Sequence, residues 1–282
     1  MKSKIILLVI ISFTSMLRAQ LSAVDYKSKA FNQFKASKTF VVLSGDKKFD
    51  SEIKIAMTNS WKITPFDFMS ESELENKISD KSFSFIRLVV VEGSKNNYHY
   101  LALFNGGEKK LSRYRYDDML AYCPINFYID ENTLSNCNYR VRNMVESMVQ
   151  CMEIVQKNDI KGGSYSIVKD LQKFYNTKSS KIKDRTLLFC DESIGNKLTK
   201  IDISGVYPFK FEICNKKKLE QVIKDKSTEY YYFQPGITLN KSMFVFDPSN
   251  GEIVYFEFSV MGLNINKSNI KDLVEEINKV KK

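Results

Sequence analysis

The chain has 282 residues, with 43 Lys and Arg against 33 Asp and Glu and a formal net charge of +10. That length suits one large domain or two small ones, and either can bury a real core. A single histidine excludes a multi-histidine metal centre, and five cysteines without a CxxC exclude a thioredoxin-type dithiol and a zinc knuckle.

The first twenty residues, MKSKIILLVIISFTSMLRAQ, open with Lys2 and Lys4. They run through an apolar stretch from Ile5 to Leu17 and reach a small residue at Ala19. Charged region, apolar core and small residue, in that order, are expected of a cleaved signal peptide over residues 1–19; the core is too short to span a bilayer. A core ending in Ala-Gln resembles the export signals of secreted and periplasmic proteins of the Bacteroidetes. No cysteine follows until Cys123, so a lipoprotein anchor is not expected, and no later segment is apolar enough to be a transmembrane span. The expected location is therefore periplasmic or secreted, and soluble. Without residues 1–20, 40 basic residues face 33 acidic ones, a net +7. That excess favours an acidic partner, an anionic glycan or an envelope protein, while export argues against nucleic acid.

TFVVL (39–43) reads as a buried strand and FDSEIKIAMTNS (49–60) as the helix after it. WKITPFDF (61–68) alternates large apolar and polar residues, a strand pattern with Pro65 at its start. Ser70 and Glu73 then form a capping box ahead of LENKISDKS (74–82). Leu74 and Ile78 lie on one face of that helix, and Asp80-Lys81-Ser82 makes its polar exit. Strands follow in FSFIRLVVV and HYLALF. Val141, Met144, Val145, Met148, Met152 and Val155 then mark one apolar face of a long helix.

The same landmarks recur in the same order further on. TLLFC (186–190) answers TFVVL, VYPFKFEI (206–213) answers WKITPFDF, and LEQVIKDKS (219–227) matches LENKISDKS at Leu, Glu, Ile, Asp, Lys and Ser. Asn215 supplies the cap in the second copy, although Lys216, Lys217 and Lys218 crowd a first turn where the helix dipole disfavours cations. EYYYF, MFVF and EIVYFEF follow, the last two joined by DPSNG as a hairpin. Ser268 is the expected cap of a closing helix with Ile270, Leu273, Val274, Ile277 and Val280 on its apolar face. This order points to a tandem duplication. The expected fold is α/β: two β-α-β-α-β-β-α units with mixed sheets, over residues 20–160 and 185–282, joined by a linker with a short helix (161–184). The element order resembles the thioredoxin-like fold, but no redox function carries over without its CxxC.

Chemical candidates are few. His99 is the one residue able to serve a Ser-His-Asp or Cys-His centre, and it stands at the start of a strand-like run. Ser44 and Asp46 follow the first strand of one unit, and Asp191 and Glu192 follow that of the other. Open α/β sheets bind ligands beyond the carboxyl ends of their strands, which makes these a matched pair of ligand-binding loops; turn chemistry explains the same residues without a ligand. Arg113, Arg115 and Tyr116, in a run that interleaves Arg with Tyr, suit contact with an anion or a glycan. Cys123 and Cys137 flank a loop-rich segment and are the candidate disulfide, whereas Cys190 and Cys214 sit in apolar strands as small hydrophobes. No cofactor or metal is implied. The sequence favours an exported, non-catalytic binding or scaffold protein of the cell envelope. The alternative is a hydrolase or transferase acting on an anionic glycan or peptide between the units. A third class, thiol chemistry, needs an exposed cysteine of lowered pKa.

Overall fold

The computed structural model describes residues 28–92, 97–107, 110, 118–126, 137–158, 164–194, 198–237, 241–259 and 265–279. The expected signal peptide lies outside them. Within them, no helix is long and apolar enough to cross a membrane.

The first unit runs α1 (Ser28–Lys35), β1 (Lys38–Val42), α2 (Lys47–Ser60), β2 (Phe66–Met69), α3 (Glu71–Lys77), β3 (Phe83–Glu92), β4 (Asn97–Asn105), β5 (Met119–Asn126) and α4 (Val141–Lys157). A short 3-10 helix, Asn138–Arg140, leads into α4. Then come α5 (Ser164–Asn176) and a 3-10 helix over Ser179–Asp184. The second unit runs β6 (Thr186–Cys190), α6 (Asp191–Ile194), α7 (Lys200–Ser204), β7 (Phe211–Cys214), α8 (Lys216–Lys224), β8 (Tyr230–Ile237), β9 (Lys241–Phe246), β10 (Ile253–Ser259) and α9 (Lys267–Asn278).

Two five-stranded mixed sheets result, in the orders β2-β1-β3-β4-β5 and β7-β6-β8-β9-β10. In each, the first three strands are parallel and the last two antiparallel. The orders superimpose strand for strand, so the two-unit α/β reading holds. Each unit has three strands after the helix of the repeated stretch, α3 or α8, rather than two. In the first unit the additional strand is β5, which contains Pro124; it lies at the sheet edge, where a missing N–H is tolerated.

Register refines the internal match. Lys38 pairs with Phe83, the first residue of β3, and Thr186 pairs with Tyr230, the first residue of β8. Lys38, not Thr39, is therefore the counterpart of Thr186. The difference matters because a one-residue slip turns every side chain to the other face. In this register Val41 corresponds to Phe189. Val41 faces the side of its sheet covered by α2 and α4, and Phe189 faces the corresponding side, covered by α7 and α9.

The units stack through unlike faces. The α3 side of the first sheet holds its own small core of Phe40, Val42, Met69, Leu74, Ile78, Phe85 and Phe104. Its other side, with α2 and α4, shares one continuous cluster with the α8 side of the second sheet, including Leu188, Leu219, Ile223, Tyr232 and Phe246. The far side of the second sheet packs on α7 and α9 through Leu187, Phe189, Ile203, Tyr231, Phe233 and Leu273. Helix α4 thus lies at the centre of the molecule.

The repeated stretch is structural in both copies. Leu74, Ile78, Leu219 and Ile223 are all at most 1% exposed, each contributing about 2 kcal/mol of burial. Glu73 accepts from Ser70 N and Oγ at 2.7 Å each, and Asn215 Oδ1 accepts from Lys218 N at 3.0 Å. At α9 the cap is Asn266, whose Oδ1 accepts from Ser268 N and Asn269 N; Ser268 is the second helical residue.

In the stretch expected as a linker, α5 packs on β10 and the second 3-10 helix packs on α9. Ser179 Oγ donates to carbonyls of both Asn176 and Glu276, and Ile182 is fully buried. In the first unit, Trp61 is buried, and its Nε1 donates to Thr64 Oγ1 at 3.0 Å. From there a buried hydroxyl chain runs through Thr39 and Ser84 to Ser37.

Candidate functional site

The loop after β1 is turned inward. Ser44 N and Oγ both donate to Asp50 Oδ1 at 2.8 Å, and Gly45 N donates to Asp50 Oδ2 at 2.9 Å. Asp46 Oδ1 accepts from Lys48 N and Phe49 N, capping α2. Gly45, at φ +86°, permits the turn. Ser44 and Asp46 therefore serve the amino end of α2, with Asp50 as the partner that organises them. In the second unit Asp191 is exposed and opens α6, next to Cys190, and its charge acts on Cys214; Glu192 follows in the same helix turn.

The two units meet at a different place. The 3-10 helix Asn138–Arg140 packs against both α2 and α8. Cys137, which precedes it, is buried and lies close enough to Asp46 and Lys216 to feel both charges. The amino ends of α2 and α8, one from each unit, therefore converge on Cys137. Lys47, Lys48 and Lys217 are exposed there, and Lys216 is half-buried. Helix amino ends carry partial positive charge, and the lysines of these two first turns add to it on this face, offset in part by Asp46 and Asp50. Lys218 is held separately, 3.4 Å from Glu212 and Tyr230 Oη and over the Tyr230 ring.

Beneath this face lies Arg140, 4% exposed. Its Nε donates to Tyr139 Oη at 2.9 Å, and its Nη1 donates to Gln234 Oε1 at 2.5 Å. Gln234 belongs to β8, so a first-unit cation is satisfied by the second sheet. Two residues further on, in the first turn of α4, Arg142 donates to the carbonyls of Ile223, Pro248 and Ser249 at 2.7, 2.6 and 3.0 Å. Asn143 Nδ2 reaches Asp247 O, and Gln150 Nε2 reaches Asn250 O. The β9–β10 turn is thereby clamped onto α4. The available signal for both arginines was their place in NYRVRN, at the start of an apolar helix where the dipole disfavours cations.

His99 sits in β4, paired with Val90 of β3 and Asn126 of β5. Arg113, Arg115 and Tyr116 lie outside the described residues. Cys123 and Cys137 are both buried thiols. Burial pushes Cys123 up to about 12, against Ser147 and Arg140, and burial pushes Cys137 up to about 11. Both are thus protonated at neutral pH, unlike a thiolate nucleophile. Among the described residues, no group of three or more His, Cys, Asp and Glu side chains is placed to hold a metal ion. No protein-family model, curated protein or solved structure matches the chain.

Proposed function

We propose that this is an exported, non-catalytic two-unit binding protein of the cell envelope whose ligand is anionic, an acidic glycan in the first place. The observation that carries the reading is that the amino ends of α2 and α8 both reach Cys137, through Asp46 and Lys216, with Lys47, Lys48 and Lys217 exposed in the same first turns. The rest of the chain fits that role. The shared core and the Arg142 clamp hold the two helix ends in fixed relation, so their charges are preorganised for one ligand. The moderate net positive charge adds long-range attraction.

The test is titration of the folded protein with a polyuronate glycan at several salt concentrations. Lys216→Glu/Lys217→Glu is expected to weaken binding roughly tenfold at low salt, while Lys200→Glu/Lys271→Glu, with the same change in net charge, leaves it within about twofold. Equal losses in both variants, or no binding by the parent, would remove the assignment. Cleavage of the glycan that disappears in His99→Ala would instead establish the hydrolase alternative. Binding of an acidic envelope protein but not the glycan would place the same cationic face in a protein scaffold.

A further inference from the structure

Cys190 and Cys214 close the two outer parallel strands of the second sheet. Cys190 is the last residue of β6 and Cys214 the last of β7, and the two are direct register partners. Their side chains point to the same face, both belong to the central core cluster, and the two thiols lie within hydrogen-bonding reach of each other. Both are almost fully buried. A pair of small hydrophobes would explain either cysteine alone. It does not explain why the only two cysteines of the second unit stand side by side.

We propose that Cys190 and Cys214 form a reducible disulfide that staples the edge strand β7, and with it the amino end of α8, to β6. The spacing of adjacent strands, about 4.8 Å, falls inside the range of about 4.4–6.8 Å between Cα atoms that a disulfide needs. The Cβ atoms must come nearer than strand spacing alone provides, to about 3.5–4.5 Å. The sheet can give at this point: both residues terminate their strands, and β7 is the edge strand of the sheet among the described residues. A bridge closed against such a constraint is easier to reduce than a relaxed one, which makes it responsive to the surrounding thiol–disulfide balance.

The chemistry is exchange with a small disulfide oxidant, RSSR. The Cys214 thiol, on the edge strand, loses its proton and attacks one sulfur, forming Cys214–S–S–R and releasing RS⁻. Cys190, deprotonated in turn, attacks the Cys214 sulfur and expels the second RS⁻. The two protons end on the two released thiols, so two cysteine thiols and RSSR give one cystine and two RSH. The hydrogen bond with the Cys190 thiol, and then burial, keep Cys214 protonated in the closed sheet, so exchange proceeds while the edge strand opens or during folding. Asn215, the cap of α8, and Lys216 follow Cys214 directly. The bridge therefore fixes the start of α8 whatever ligand the protein takes.

The test equilibrates the folded full chain with mixtures of oxidised and reduced glutathione, quenches with acid, alkylates under denaturing conditions and maps the peptides by mass. The expected result is a Cys190 peptide linked to a Cys214 peptide, with Cys123, Cys137 and Cys151 alkylated. Reduction is expected to lower the Tm on the order of 5 °C, a response absent from Cys190→Ala/Cys214→Ala. Five alkylated cysteines at the most oxidising ratio, or a link through any other cysteine, would overturn the proposal. So would a Tm shift on reduction that the double variant retains.

Discussion

Gly106 and Gly45 are glycines for different reasons. A Cβ on Gly106 would lie 2.2 Å from Asp80 O and 3.1 Å from Phe83 O, both backbone atoms that cannot step aside. Gly106 N donates to Phe83 O, so the contact is part of the turn that ends the repeated stretch. Gly45 has open space around it and needs only its positive φ. Gly106→Ala should therefore cost about 3 kcal/mol, at the upper end for overpacking, and Gly45→Ala about 1 kcal/mol, the strain of a left-handed residue. Urea denaturation of the two variants gives the comparison; equal losses would contradict the backbone clash. Glu146 makes a pH-dependent case at the same scale. Burial raises its pKa, with Arg142 and Lys226 acting in the opposite sense, and its Oε2 has no hydrogen-bond partner among the described residues. A carboxyl whose folded pKa lies above its unfolded value holds its proton more tightly when folded. Its cost to stability is absent below the unfolded pKa and grows as pH rises through the folded one. Glu146→Gln should thus gain stability relative to the parent at pH 7 and lose that advantage by about pH 4. Paired denaturation curves at the two values check the sign.

Helix ends carry the next scale of argument. For α9, the helix pattern identified the apolar face but put the cap two residues late, at Ser268 instead of Asn266. The reason is local: both residues are good caps, and only the extended backbone at Asn266, φ −142°, settles which one turns the chain. Asn266→Ala should cost about 1 kcal/mol, and Ser268→Ala less than about 0.5 kcal/mol. Reversal of that order in thermal denaturation would return the cap to Ser268. More broadly, elements were legible where one periodicity dominated. TFVVL, the Leu74/Ile78 pair and the Met-rich face of α4 each show a single pattern, and each is buried as that pattern implies. The register of the repeat was less legible, because TFVVL and TLLFC match equally well by eye one residue apart. Only the face that each side chain takes decides between them. The candidate loops were legible by position and not by role. Ser44 and Asp46 are where a ligand loop would be, yet Asp50, one turn into α2, takes up their hydrogen bonds. Arg142, Asn143 and Gln150 illustrate the remaining gap. On a helix wheel they read as a solvated stripe, while in the fold they bind the carbonyls of a hairpin a hundred or more residues away.

At the scale of the molecule, that hairpin contact decides how the duplicated units behave. Two tandem domains with a thin interface melt separately, but here one apolar cluster runs from the first sheet through α4 to the second. Gly251 shows how close the fit is, since a Cβ there would lie 2.7 Å from Glu146 Cβ and 2.8 Å from Asn143 O. The molecule offers its own probe of the coupling. Trp61 is the sole tryptophan and is buried in the first unit, so its fluorescence reports that unit, whereas far-UV circular dichroism reports both. The two signals should follow one denaturation curve in the parent protein. Arg142→Ala removes the donor of three carbonyl hydrogen bonds across the joint and leaves those oxygens without their charged partner. A loss of about 3 kcal/mol is expected, at the charged end of the range for buried hydrogen bonds. Because the apolar cluster remains, the fluorescence and dichroism curves should shift together to lower denaturant. Curves that separate already in the parent would mean that the shared core does not couple the units, and the fixed spacing of α2 and α8 on which the binding face depends would fail with it. Curves that separate only in Arg142→Ala would assign the coupling to the polar clamp and not to the core.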